Sequence, residues 1–144
     1  MSGLVAAAEA DVEAPPARVW AVLTDLAQLK KLWFGADVTT DWRPGSPITW
    51  TGVWDGDPYE DRGEVLEVQA PRLLRFTHFS PRSGQPDRPE SYHTLTFTLT
   101  GRGAGTHVRL TQDNNPDESA VQHSQGMWET LVSGLKEIAE HDEP

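Results

Sequence analysis

The chain has 144 residues, enough for one domain around a single core, and carries a formal net charge of -10 from 22 acidic and 12 basic residues. So negative a surface repels phosphate backbones and anionic lipid head groups, which argues against nucleic acid and membrane surfaces as partners. The absence of cysteine excludes disulfides, thiol catalysis and thiolate metal sites, and with no apolar run near the ~20 residues that span a bilayer and no secretory leader, the expected compartment is the cytoplasm.

Leu4 to Glu13 reads as a first strand with Ala-rich filling. Ala14-Pro15-Pro16 breaks it and opens a short helix, because proline is tolerated in a first helical turn. Val19, Trp20 and Leu23 form the apolar side of that helix. Asp25 suits a fresh N-cap, with Gln28 three residues on, and Leu26, Leu29, Leu32 and Trp33 carry a second helical stripe that Gly35 stops. The period then changes to two. Val38 and Thr40 begin a strand, and Arg43-Pro44-Gly45-Ser46 has Pro and Gly where a type II turn wants them. Ile48, Trp50, Gly52 and Trp54 alternate with Thr49, Thr51 and Val53 before a turn at Asp55-Gly56-Asp57-Pro58. Tyr59 to Val68 and Leu73 to Phe79 are the next strands, followed by a Pro-rich exposed loop from Ser80 to Pro89. Tyr92 to Thr100 alternates cleanly, with His93, Leu95, Phe97 and Leu99 on one face and threonines on the other. A glycine-rich turn at Gly101 to Gly105 leads to Thr106–Gln112, with Val108 and Leu110 inward.

The last stretch, Asn115 to about Glu140, reads as a long helix with Asn115 as N-cap, Pro116 in the first turn and Glu118 completing a capping box. Val121, Ser124, Trp128, Leu131, Val132, Leu135, Ile138 and Ala139 recur at three- and four-residue steps and form one face. A stripe of that length needs a cover of similar length, and the preceding strands are the available one. Short connections make those strands antiparallel. The expected fold is α+β, a helix-grip in which a curved antiparallel sheet of about seven strands wraps the C-terminal helix and two short helices close one end.

Four stretches carry a family resemblance: Pro15–Thr24, Leu29–Phe34, the hairpin formed by Gly63–Val68 and Pro71–Thr77, and Trp128–Lys136. In order and spacing they resemble the START-related, birch-pollen-allergen-like (SRPBCC) superfamily, and within it the branch named for the activator of the heat-shock-protein-90 ATPase. The resemblance implies a single domain with a hydrophobic ligand pocket and catalysis only in some branches. The co-chaperone that names the branch has a separate N-terminal domain, for which this chain has no residues to spare, so a chaperone role is not implied. Where the family usually has Gly directly before the helix Trp, this chain has Met127 and places Gly126 one residue earlier. A larger side chain there narrows the implied pocket.

Few residues carry a chemical signature of their own. His78 and His93 fall on the apolar phase of their strands and read either as satisfied core histidines or as polar anchors facing the cavity. No histidines show the spacing of a zinc helix, so no metal and no cofactor are expected. Ser133 lacks a nucleophile elbow, and the Gly101–Gly105 run opens no helix. Glu60, Asp61, Glu64 and Glu67 on one hairpin read as a solvated face. The aromatic set is the stronger signal. Trp50, Trp54, Phe76, Phe97 and Trp128 share the predicted inner surface with His78, His93, Leu95, Met127 and Leu131, and Trp33 and Phe34 lie at the mouth. Such walls suit a planar or lipid-like ligand. The expected function is binding of a hydrophobic small molecule by a monomer or homodimer. The alternatives are a polyketide cyclase or aromatase-like enzyme using a pocket histidine, and a chaperone-associated interaction module.

Overall fold

The computed structural model describes residues 3–141. Strand β1 (Leu4–Val12) is followed by helices α1 (Pro16–Thr24) and α2 (Leu26–Leu32). Six strands come next: β2 (Asp37–Thr39), β3 (Pro47–Trp54), β4 (Asp57–Gln69), β5 (Leu73–His78), β6 (His93–Arg102) and β7 (Gly105–Asn115). Helix α3 (Glu118–His141) ends the described chain. The seven strands form one sheet in the order β1-β7-β6-β5-β4-β3-β2, every neighbouring pair antiparallel. The α+β helix-grip expected from the sequence is the fold.

The turns follow from their residues. Gly45 has φ +90° and Ser46 N donates to Arg43 O at 2.9 Å, as the Pro-Gly pair dictates. Asp55 and Gly56 both have positive φ (51° and 83°), the two-residue hairpin turn that matches strand twist. The core lies between the concave sheet face and α3. Trp50, Val65, Leu74, Phe76, Leu95, Phe97 and Leu110 are buried on the sheet, and Trp128, Leu131, Val132, Leu135 and Ala139 are buried on the helix.

Helix α3 starts two residues later than the sequence predicts. Asn115 closes β7 instead of capping the helix: its buried amide donates to Leu4 O and Gln112 O, both at 3.1 Å. The cap is Asp117, whose carboxylate accepts from Ala120 N at 2.8 Å and whose carbonyl accepts from Val121 N at 3.1 Å. The far end of α3 is tied down by Arg18, whose guanidinium donates to the carbonyls of Ile138 and Ala139. At the start of α2 the Asp25 carboxylate accepts from Ala27 N at 3.0 Å, as expected, but Asp25 N donates to Val22 O, so Gln28 does not complete a capping box.

One glycine shapes the sheet where the site lies. A Cβ on Gly63 would sit 1.8 Å from the Thr77 carbonyl oxygen, so β4 and β5 can approach there only around a residue with no side chain. Thr77 Oγ1 accepts from Glu64 N across the same junction at 2.9 Å. Up to Glu64 strand β4 pairs in register with β3, and from Val65 onward with β5.

Candidate functional site

Between α2, the β3–β5 part of the sheet and the N-terminal half of α3 lies a cavity of about 590 Å³. Its walls come from the end of α2 (Trp33 and Phe34), from β3 (Trp50 and Trp54), from β5 (His78) and from α3 (Met127 and Trp128). These are seven of the twelve residues expected on the inner surface. The other five lie elsewhere. Phe76, Leu95, Phe97 and Leu131 are buried in the core behind the wall, none more than 1% exposed. His93 Nδ1 donates to the Asp113 carbonyl at 2.9 Å, the satisfied histidine of the plainer reading.

Trp33 is the hub of the aromatic wall. Its ring centroid is 5.3 Å from that of Trp50, 5.5 Å from Trp128 and 6.0 Å from Phe76, all in tilted or edge-on arrangements that ring quadrupoles favour. It caps α2, and its amide donates to Leu29 O at 2.8 Å. Trp128 is held from the other side, where Nε1 donates to Gln112 Oε1 at 3.1 Å. Phe34 and Trp54 are 48% and 65% exposed, so both belong to the rim, Trp54 farther out than its strand phase predicts. Trp54 closes β3 immediately before the hairpin turn. The residue expected to narrow the pocket, Met127, stands in the wall and is 37% exposed.

The polar end of the cavity is built on β4 and β5. His78 Nε2 lies 2.9 Å from Asp61 Oδ2, both side chains being about one-sixth exposed. The His78 ring packs edge-on against Trp50, centroids 4.7 Å apart. Trp50 and Asp61 are direct cross-strand partners, which puts their side chains on the same face. Tyr59 lies beside them over Gly52, where an added Cβ would meet the phenol ring at 2.8 to 2.9 Å. Burial, and next the charge of Asp61, push the Tyr59 phenol above its ordinary pKa, partly opposed by Arg82. Tyr59 therefore keeps its O–H. The Arg82 guanidinium sits 6.0 Å above that ring, and His123 completes the wall from α3.

Sequence reasoning placed Asp61 on a solvated face, together with Glu60, Glu64 and Glu67. The strand phase held the opposite signal: Tyr59, Asp61, Gly63 and Val65 alternate on the face that Val65 buries. His123 was legible too, one helical turn before Met127. Arg82 and Ser80 come from the Pro-rich loop, where no periodicity points inward. Among the described residues no three His, Asp or Glu side chains converge as a metal site requires, and no helix is long and apolar enough to cross a membrane.

A helix-grip sheet with a cavity between its concave face and the C-terminal helix defines a protein of the SRPBCC superfamily. Within it, the chain belongs to the Activator of Hsp90 ATPase homolog 1-like protein family, whose model matches residues 13–140. It is similar to a protein of Cytophaga hutchinsonii known from a solution structure, at 41% identity over 96% of this chain and 94% of that one, with a TM-score of 0.84. The Aha1 dimer from Colwellia psychrerythraea shares the fold at 20% identity, covering 98% of this chain and 99% of that one, with a TM-score of 0.76. Ara h 8.0201 shares it at 13% identity, covering 94% and 97%, with a TM-score of 0.73. No curated protein matches the chain.

Proposed function

We propose that the protein binds a hydrophobic small molecule, planar or lipid-like, in the cavity between sheet and α3. The observation that carries this reading is the composition of the cavity wall: four tryptophans, Phe34 and Met127 surround about 590 Å³ of space, with the polar groups gathered at one end. That volume lies within the ~300–1,000 Å³ usual for small-molecule sites, and apolar walls with a few placed polar groups are their usual chemistry. On this reading Trp33, Trp50 and Trp128 form the flat walls, Phe34, Trp54 and Met127 the mouth, and His78 the polar anchor. The net charge of -10 argues against nucleic acid and anionic membrane surfaces as partners.

Native mass spectrometry of the freshly purified protein tests the reading, together with titration of its tryptophan fluorescence by apolar aromatic probes. A co-purified small molecule, or saturable quenching, is the expected result. Unliganded protein whose fluorescence no apolar probe changes would overturn it.

One observation favours a second reading, an enzyme of the polyketide cyclase or aromatase-like kind. A carboxylate that orients a pocket imidazole, as Asp61 does His78, is the arrangement of a general base. The histidine of that reading is His78, because His93 spends its Nδ1 on Asp113.

A further inference from the structure

The polar end of the cavity has unused hydrogen-bonding capacity of a definite kind. An ionised carboxylate only accepts, so the 2.9 Å contact with Asp61 Oδ2 puts the proton of a neutral His78 on Nε2. Nδ1 is then a bare acceptor, and no atom of the described residues hydrogen-bonds to it. Two neighbouring atoms are also without partners among the described residues, the acceptor Asp61 Oδ1 and the donor Trp50 Nε1. Asp61 Oδ1 and Trp50 Nε1 are sealed from solvent, so His78 Nδ1, in the cavity wall, is the unpaired atom to which a ligand can supply a partner.

The charges around this cluster restrict what that ligand presents. Asp61 repels a carboxylate or phosphate. Arg82 in the same wall, over the Tyr59 ring, repels the ammonium group that Asp61 would attract, so the two charges together favour neither sign. A neutral group that can donate to His78 Nδ1 and also accept is a hydroxyl, and the indole walls select one carried on a flat ring. We infer that the cavity takes an aromatic molecule through a phenolic hydroxyl that donates its hydrogen to His78 Nδ1, with Asp61 as the positioning residue that holds the accepting tautomer. The inference rests on the ligand-binding reading above and names the class of ligand.

The test compares 2-naphthol with 2-methoxynaphthalene, nearly the same shape without the donor, by calorimetric titration of the full chain. The expected result is binding of both, with 2-naphthol about tenfold tighter. His78→Phe keeps a ring against Trp50 but removes the acceptor, and should bring the two affinities within about twofold of each other. Asp61→Asn leaves the side-chain shape in place and frees the imidazole tautomer, so it should shrink the same preference, which keeps the test decisive if His78→Phe does not fold. Equal affinities in the unaltered protein, or a preference that survives both variants, would overturn the inference and leave the ligand-binding reading standing. Binding of neither probe would overturn both.

Discussion

Met127 and Leu131 are one helical turn apart on α3 and do different work. Leu131 is 1% exposed, in the core behind the cavity wall. Leu131→Ala should therefore cost ~2–5 kcal/mol of stability in denaturant titration, by loss of buried surface plus the space left behind. A loss below ~1 kcal/mol would mean that the site collapses around the shorter side chain. Met127 lines the cavity itself. A Cβ added at the preceding Gly126 would meet nothing within 4 Å, so packing does not require the small residue there. Met127→Gly should widen the cavity and improve binding of larger apolar probes, at a helix-propensity cost of ~1 kcal/mol. Unchanged affinity for large probes in a folded variant would show that Met127 does not limit the pocket.

At the scale of elements, one junction holds the site together and another closes the β1 edge of the sheet. The first is the close approach of β4 to β5 at Gly63, which sets Asp61 against His78. Gly63→Ala would drive its new Cβ into the Thr77 carbonyl, backbone against backbone, where no side chain can swing away. The expected result is a loss of ~3 kcal/mol or more, or failure to fold, measured by thermal denaturation. The second junction is the β1–β7 seam, where His107 is held between Asp11 and Glu9, both at 2.8 Å. These hydrogen bonds, with Asp11 first, raise the imidazole pKa, and the bond to His107 lowers both carboxylates. A raised imidazole contributes stability that is complete below its unfolded value of ~6.5 and disappears as pH rises through the folded value. The carboxylates contribute above their unfolded values and lose that contribution as pH falls through their lowered ones. The seam is therefore tightest in mildly acid solution. Between about pH 6 and about pH 9 the melting temperature should fall more in the unaltered protein than in His107→Gln. Parallel profiles would refute the assignment. Both junctions also show what sequence can carry. The alternation of β6 and the stripe of α3 were legible because burial imposes a period on a run of residues. The Gly63 contact was not, because a single close approach leaves no period. The true start of α3 was hidden because Asn115 and Asp117 are both good caps, and a contact 111 residues away, at Leu4, takes the first of them.

For the whole molecule, order of elements and fold class were readable because short turns leave an antiparallel sheet few arrangements. The site was readable only in its apolar half. Its tryptophans stand out by number and phase, whereas Asp61 was hidden among acidic neighbours and Arg82 arrives from a loop. The seam between β1 and β7 has a further consequence, in time rather than in space. The first strand made has no neighbour until β7 exists, since its partner is the last of the seven and the register runs from Leu4 opposite Asn115 to Val12 opposite Thr106. During synthesis the Ala-rich opening strand must wait, unpaired, for most of the chain to emerge. The concave aromatic face stays uncovered longer still, until α3 is released. The other five pairings join strands that follow one another in the chain, so the loop-closure cost of the sheet is concentrated in this one seam. The interval between translation of β1 and docking of α3 is when this chain is most open to association with other chains.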